Sequence, residues 1–295
     1  MLVTGANSGM GLATSAALAA AGAEVIMLCR NGSRGKAAYD QARSLSGSEK
    51  IHLMLADLSN FDSITAFCRA FCERFDRLDA LVNNAGVIVL DRQQTKQGFE
   101  LQFGVNHLGH FLLTLQLSPL LLATDSSRLV TVSSGAHKVG HIHFDNINLS
   151  KHYNVIRSYG QSKLANVLFV QEFTSRIAGR NISAASCHPG AVATQMGIDR
   201  QTGFGRGLTS LLKPFFRTPS EGAATAVQLA LHGPGAGNNG KYFYNGQPAQ
   251  TGKRANDPEA AQRLWQLSLE LTGPWLSGFN IAPELSALRY PENNQ

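Results

Sequence analysis

Tyr159 and Lys163 stand four positions apart in a stretch that continues into the apolar residues 164–170. On a helix, residues with this spacing share one face, so the phenol and the ammonium would point in the same direction. A free phenol has a pKa of about 10 and is a poor proton donor or acceptor at neutral pH. A neighbouring positive charge stabilises the phenolate, so the pair predicts a tyrosine with a lowered pKa that serves acid–base catalysis. An isolated pair is more often ordinary helix surface, and the rest of the chain must decide.

Strand and helix signals alternate along the chain. The predicted strands are residues 1–3, 23–29, 51–55, 78–82, 129–132, 182–187 and 241–244. Apolar strands separated by helices favour a parallel sheet that is covered on both faces, with right-handed crossovers. We therefore expect an α/β, Rossmann-type, doubly wound sheet of about seven strands. No linker or repeat divides residues 1–295, which predicts a single domain with a C-terminal helix at about 257–272.

Composition excludes several classes of function. The net charge is +6, but only 16% of the residues are charged and no run of Lys or Arg stands out, so no nucleic-acid partner is expected. The four cysteines are scattered, which predicts reduced thiols and a cytoplasmic location. His137, His141 and His143 lack Cys or carboxylate partners at a fitting spacing, so no metal is expected. No apolar span reaches the length of a transmembrane helix, and no signal peptide is recognised.

The informative residues follow the predicted strands. They are residues 5–11, Arg30, Asp57, residues 83–86, Ser133 with Ser134, and Pro189 with Gly190. In a doubly wound sheet, ligands bind beyond the carboxyl ends of the strands. The sequence therefore predicts one site at this edge of the sheet.

The first of these clusters has the spacing TGxxxGxG at residues 4–11. Glycines after a first strand allow a tight turn and a close approach of the backbone to a pyrophosphate at a helix N-terminus. After the second strand, an acidic residue usually holds a free ribose 2′-OH, whereas a 2′-phosphate favours Arg. Here Arg30 and Asn31 occupy that place, Arg34 and Lys36 are near, and no carboxylate is adjacent. This charge pattern predicts NADP(H) in preference to NAD(H).

The segments TGANSGMG, NNAG, VNHLGH, VSS, YGQSK and HPG occur in this order and resemble the short-chain dehydrogenase/reductase family. The resemblance covers essentially the whole chain. The segments CRN, SKLANVLF and GKYF, the last followed by a helix containing RLWQLSLEL, are similar to the retinol dehydrogenase-type branch. The resemblance implies a reductase of retinal-like and other lipophilic carbonyls. Only three residues precede Thr4, so the first strand is short for this family.

The family resemblance implies roles for four catalytic residues. Tyr159 would be the general acid for carbonyl reduction, and Lys163 would lower its pKa and hold the nicotinamide ribose. Ser134 would hydrogen-bond the substrate carbonyl, with Ser133 as the alternative. Asn106 would support a water-mediated proton relay to Lys163. Two donors on the carbonyl oxygen would stabilise the developing alkoxide.

The resemblance also implies the cofactor contacts. Asp57 and Leu58 would flank the adenine, residues 84–86 would pass behind the adenosine ribose, and residues 189–194 would face the nicotinamide. The predicted cofactor-binding residues are Gly5, Asn7, Ser8, Gly9, Met10, Gly11, Arg30, Asn31, Asp57, Leu58, Asn84, Ala85, Gly86, Tyr159, Lys163, Pro189, Gly190, Val192 and Thr194.

A segment at about 195–218 is the expected substrate lid. An apolar pocket there would be formed by Phe204, Leu208, Leu211, Leu212, Phe215 and Phe216, unless these residues pack on the core. Peripheral contact with a membrane surface is left open by Arg206, Lys213 and Arg217.

The expected function is an NADPH-dependent carbonyl reductase or alcohol dehydrogenase that acts on a lipophilic aldehyde or ketone. The first alternative is a ketoreductase for polyketide or polycyclic secondary metabolites, with the same catalytic residues and a different lid. The second is a non-catalytic NADP-sensing protein, which the presence of both Tyr159 and Lys163 disfavours. The resemblance leaves open a homo-oligomer formed through the long helices around Asn106 and Tyr159.

Overall fold

A computed structural model describes residues 1–190 and 217–287. In this part of the chain, eight strands form one sheet in the order β3-β2-β1-β4-β5-β6-β7-β8. The strands are β1 (Leu2–Thr4), β2 (Val25–Cys29), β3 (Ile51–Leu55), β4 (Ala80–Asn83), β5 (Ser127–Val132), β6 (Ile182–His188), β7 (Tyr242–Tyr244) and β8 (Gln247–Pro248). Strands β1 to β7 are parallel and β8 is antiparallel to β7. The predicted Rossmann-type α/β fold is confirmed, and the strand order reverses between β1 and β4.

Helices cover both faces of the sheet. One layer contains α1 (Gly9–Ala20), α2 (Gly32–Ser46) and α6 (Pro219–His232), and its core is rich in Ala, Leu and Val. The other layer contains α3 (Phe61–Arg74), α4, α5 (Val155–Arg176) and α7 (Pro258–Thr272), followed by the short α8 (Pro283–Ser286). Helix α4 is continuous and consists of Leu101–Phe103, a π-helical turn at Gly104–Leu108 and Gly109–Ala123. None of the helices in the two described ranges is both long and apolar enough to cross a bilayer.

Side-chain caps explain where several helices begin. Asn31 caps α2, Asn154 caps α5 and Asp257 caps α7, in each case by accepting hydrogen bonds from backbone N–H groups of the first turn. Thr218 and Glu221 form a reciprocal capping box at the start of α6. The C-terminal helix α7 begins at Pro258, directly after its cap Asp257. Strand β8 was not predicted, because its two residues form no apolar run.

The C-terminal segment buries the aromatic face of α4 and α5. The indole ring of Trp265 in α7 stacks on Phe169, with centroids 5.7 Å apart, and meets the edge of Phe111 at 5.0 Å. The Arg176 guanidinium lies 4.8 Å from the Trp265 ring, and the indole Nε1 donates to the backbone oxygen of Leu285 at 3.2 Å. This face of the two long helices is therefore covered by the chain itself.

Candidate active site

The turn between β1 and α1, residues 5–11, is here named the glycine turn. Gly5 has a φ of +65°, and a Cβ added there would lie 2.8 Å from Cα of Ala85, so a side chain has no room. A Cβ on Gly11 would collide with the backbone oxygen of Gly5. No side chain of the described residues caps the N-terminus of α1 at Ser8. A ligand can therefore approach the backbone of the turn closely and meet the uncapped N–H groups of α1. Both features suit the binding of a pyrophosphate.

Thr4 fastens the glycine turn to the segment after β4. Its Oγ1 accepts hydrogen bonds from the backbone N–H groups of Asn84 and Ala85, both at 2.9 Å. The side-chain amide of Asn84 donates to the backbone oxygen of Thr4 at 2.8 Å. The predicted residues Asn84 and Ala85 therefore lie against the turn, where these hydrogen bonds hold them.

The residues predicted to bind the adenosine end follow β2 and β3. Arg30 is exposed at the end of β2, and the first turn of α2 carries no acidic residue. The side-chain oxygen of Asn31 accepts from the N–H of Arg34 at 3.0 Å, so it caps α2. Asp57 accepts from the N–H and hydroxyl of Ser59, at 2.9 and 2.7 Å, and Leu58 is buried beside it. Two of these side chains thus have structural partners of their own.

Tyr159 and Lys163 lie in the first part of α5, and Ser134 follows the end of β5. The Lys163 side chain is buried, and its Nζ donates to the backbone oxygen of Val132 at 3.1 Å. Nζ lies 5.6 Å from the centroid of the Tyr159 ring. Tyr159 is hydrogen-bonded to the side chain of Ser134. The structure therefore brings the predicted phenol, ammonium and hydroxyl together at one place.

The sequence predicted a lowered pKa for Tyr159, and this prediction is wrong. Burial raises the pKa of the phenol and outweighs the opposing effect of the hydrogen bond with Ser134. Burial also lowers the pKa of Lys163 to about 8, against a smaller opposing influence of Cys187. The sequence could show the spacing of the pair but not its desolvation. At neutral pH the phenol keeps its proton, as a proton donor requires.

The two serines after β5 have different partners. The Ser133 hydroxyl donates to the backbone oxygen of Lys163 at 2.7 Å and is fully buried. Ser134 is half-buried, accepts from the N–H of Ala136 at 3.2 Å and contacts Tyr159. Because Ser133 is committed to the backbone of α5, the geometry favours Ser134 as the serine that faces a substrate.

Asn106 lies in the π-helical turn of α4, and its side chain is fully engaged. Oδ1 accepts from the N–H of Val87 at 2.8 Å, and Nδ2 donates to the Val87 oxygen at 3.1 Å and to Ser162 Oγ at 3.0 Å. Ser162 in turn donates to the backbone oxygen of Tyr159 at 2.9 Å. The side chain thus connects the segment after β4 to α5, and the water-mediated relay stays a prediction.

The end of β6 contributes Pro189 and Gly190. The N–H of Gly190 donates to Nδ1 of His188 at 2.9 Å, and the φ of Gly190 is +82°. Arg217, which the sequence left open as a membrane contact, places its guanidinium 5.2 Å from the ring centroid of Tyr244. Val192, Thr194 and the predicted lid residues up to 216 lie outside the described residues, and the lid stays a prediction.

Two cavities flank α5 in the described structure. One of about 300 Å³ is lined by residues that include Gln171, Thr174 and Tyr242, and one of about 530 Å³ by residues that include His143 and Leu168. Ser134, Tyr159 and Lys163 line neither of them. We therefore assign neither cavity to the substrate.

No group of three or more His, Cys, Asp or Glu side chains in residues 1–190 and 217–287 is placed to hold a metal ion. The His141 and His143 rings instead pack edge to face with centroids 4.7 Å apart.

Sequence reasoning missed Thr4 and Ser162, which connect the predicted residues. Thr4 stands at the start of the TGxxxGxG spacing and Ser162 directly precedes Lys163. Both residues therefore lie within motifs that the sequence analysis used. The partners of a hydroxyl, however, depend on residues that are distant in the chain, as the link from Thr4 to Asn84 illustrates.

Comparison with known proteins identifies the family of the chain. The short chain dehydrogenase family model matches residues 1–203. Human retinol dehydrogenase 14 is 39% identical over 294 residues, covering 92% of this chain and 86% of that protein. Human retinol dehydrogenase 11 is 38% identical over 273 residues, with coverages of 92% and 85%.

Solved structures show the same fold. An uncharacterized protein from Mycobacterium paratuberculosis has a TM-score of 0.74 and 34% identity, and 92% of each chain is covered. A short chain dehydrogenase from Escherichia coli, solved with NADPH, has a TM-score of 0.63 and 22% identity, with 83% of this chain and 95% of that chain covered. The family model, these relatives and the shared fold lead to one conclusion, to which the arrangement of Ser134, Tyr159 and Lys163 conforms. The chain belongs to the short-chain dehydrogenase/reductase family of oxidoreductases and is retinol dehydrogenase-like.

Proposed function

We propose that this oxidoreductase is an NADPH-dependent carbonyl reductase, or in the reverse direction an alcohol dehydrogenase, for lipophilic aldehydes or ketones of the retinal kind. The observation that carries the proposal is the contact between Tyr159 and Ser134, with the buried Lys163 ammonium 5.6 Å from the Tyr159 ring. These are two hydroxyl donors and one cation at the carboxyl end of β5, beyond the same sheet edge as the glycine turn. Such a group suits a carbonyl oxygen that gains negative charge.

NADPH, when bound, supplies the hydride. The hydroxyls of Ser134 and Tyr159 donate hydrogen bonds to the substrate oxygen and stabilise the charge that develops on it. Tyr159 then gives its phenolic proton to that oxygen and completes the alcohol. Lys163 stabilises the resulting phenolate, because a cation favours the charged form of a neighbouring phenol.

The preference for NADPH rests on charge at the end of β2. Arg30 is exposed there, and no acidic side chain stands in the first turn of α2, where a carboxylate would repel a 2′-phosphate. Relatives solved with NADPH or NADP share the fold at 22–23% identity.

The substrate class rests on the relatives named as retinol dehydrogenases, which are 37–40% identical to this chain. A retinoid-type carbonyl is apolar apart from its reacting group, so the protein's two hydroxyl donors would be the main polar contacts. The four cysteines are all unpaired, and three of them are buried. Unpaired thiols fit a reducing compartment, and we propose the cytoplasm.

The test is oxidation of NADPH by the purified protein with retinal, medium-chain aldehydes, steroid ketones and aromatic polyketide ketones, with NADH in parallel. The proposal expects turnover of a lipophilic aldehyde or ketone and a preference for NADPH. Turnover confined to polyketide ketones would indicate the alternative ketoreductase. Tight binding of NADPH without turnover of any carbonyl would contradict the proposed activity.

A further inference from the structure

His110 is a fully buried histidine of α4, one helical turn after Asn106, and the roles described so far do not include it. Its Nδ1 lies 3.0 Å from the backbone oxygen of Asn106. Its Nε2 lies 2.9 Å from Oγ1 of Thr4. The imidazole ring therefore bridges the π-helical turn of α4 and the end of β1, where the glycine turn begins.

The partners of His110 define one tautomer. Burial lowers the pKa of His110 to about 4, so the ring is neutral near pH 7 and carries one N–H. The Asn106 carbonyl can only accept, so the hydrogen is on Nδ1 and is donated to that oxygen. Nε2 is then an acceptor, and it receives the hydroxyl hydrogen of Thr4. Each ring nitrogen thus has a different and specific task.

Thr4 needs an acceptor of this kind. Its Oγ1 already accepts from the N–H groups of Asn84 and Ala85, so its own hydrogen must point to a third group. Nε2 of His110 at 2.9 Å is closer than the backbone oxygen of Val82 at 3.4 Å. His110 therefore holds the Thr4 hydroxyl in the orientation that fastens the glycine turn to the segment after β4.

On the other side of the ring, the hydrogen bonds lead to Tyr159. Nδ1 holds the backbone of Asn106, whose side chain donates to Ser162 at 3.0 Å. Ser162 donates to the backbone oxygen of Tyr159 at 2.9 Å. A continuous series of hydrogen bonds thus runs from Thr4 through His110 and Asn106 to the catalytic helix.

We propose that His110 is a positioning residue that joins the glycine turn to the helix bearing Tyr159 through its two ring nitrogens. Through Nε2 it fixes the turn and so supports the affinity for NADPH. Through Nδ1 it fixes Asn106 and so supports the placement of Tyr159 and the rate of proton transfer. The inference rests on the proposed function, in which the glycine turn holds the cofactor pyrophosphate and Tyr159 is the proton donor.

Two substitutions test the hydrogen bonds of the two ring nitrogens separately. In His110→Asn the side-chain amide replaces Nδ1, so the bond to the Asn106 oxygen can persist while Thr4 is out of reach. In His110→Gln the longer side chain reaches the place of Nε2 and can accept from Thr4, while the Asn106 oxygen loses its donor. The Kd of NADPH, from quenching of protein fluorescence, and kcat for NADPH oxidation with an accepted carbonyl are measured for both variants.

The two variants should show opposite effects. His110→Asn should raise the Kd of NADPH about tenfold with little change in kcat, and His110→Gln should lower kcat about tenfold with little change in Kd, as the loss of one buried hydrogen-bond partner predicts. His110→Phe should show both losses. The matched control is His107→Gln, because His107 is equally buried in the same helix, α4, but bonds to Ser268 of α7. It should lower Tm without separating Kd from kcat.

Parallel changes of Kd and kcat in His110→Asn and His110→Gln, in proportion to their Tm, would overturn the inference and leave His110 a purely structural residue. If the wild-type protein does not oxidise NADPH in the presence of any of the carbonyls tested, the proposed function fails. The inference is still decided in that case by the NADPH affinities. Equal affinities of the two variants would overturn it, and a tenfold weaker affinity of His110→Asn would support it.

Discussion

Replacement of Lys163 by methionine should stabilise the fold while it destroys the proposed activity. Met keeps an unbranched side chain of similar length and removes the ammonium. Burial lowers the pKa of Lys163 from 10.5 to about 8, so keeping its charge in the folded protein costs about 3 kcal/mol at pH 7. The lost hydrogen bond from Nζ to Val132 offsets about 1 kcal/mol of this gain. Val132 does not become unpaired, because Asn166 also donates to its oxygen at 3.1 Å.

We therefore expect Lys163→Met to raise the free energy of unfolding at pH 7 by about 2 kcal/mol. Between about pH 8 and 10.5 the unfolded chain holds the Lys163 proton more tightly than the folded protein does. Over this range the wild type gains stability as the pH rises, and the advantage of the variant shrinks. Urea unfolding of both proteins at pH 7 and pH 10 measures the difference.

The control is Lys36→Met on the exposed side of α2, where Lys36 pairs with Asp40 in solvent. This substitution should change the unfolding free energy by no more than about 0.5 kcal/mol at either pH. A Lys163→Met protein less stable than the wild type at pH 7 would refute the reasoning. So would a stability difference that is the same at pH 7 and pH 10.

Three further predictions concern the cofactor, the serines and the C-terminal helix. Arg30→Asp should weaken NADPH binding by about tenfold or more and NADH binding much less, and equal losses in titrations with both cofactors would exclude Arg30 as the 2′-phosphate partner. Ser134→Ala should lower kcat by about 10²-fold, whereas Ser133→Ala should mainly lower Tm, and the reverse pattern would exchange the roles of the two serines. Because Trp265 covers α4 and α5, light scattering should find a monomer, and a dimer assembled through α4 and α5 would contradict this account. Trp265→Ala should lower the free energy of unfolding by about 3–5 kcal/mol.

The sequence was sufficient to locate β1 to β7 along the chain and to predict the edge of the sheet at which the candidate residues lie. Runs such as Val25–Cys29 are apolar throughout because both faces of the sheet are covered. The residues that follow these runs, including Arg30 and Ser134, come to one edge because the strands are parallel. Local pattern therefore determined the fold and grouped the candidate residues.

Features that depend on packing between distant segments were not predictable. The pKa of Tyr159 is raised because burial outweighs the hydrogen bond with Ser134, and burial is a property of the whole fold. The π-helical turn around Asn106 has no local sequence signal. The stacking of Trp265 on Phe169 brings together segments nearly one hundred residues apart. Apolar periodicity identifies each helix without identifying the helix it packs against.

The central claim is that Tyr159 donates the proton in an NADPH-dependent reduction. The most direct measurement compares the wild type with Tyr159→Phe, using NADPH oxidation with retinal or another accepted carbonyl and the Kd of NADPH. The account predicts a loss of about 10²–10⁴-fold in kcat, with the Kd of NADPH nearly unchanged. A Tyr159→Phe protein that turns over at the wild-type rate would contradict the account.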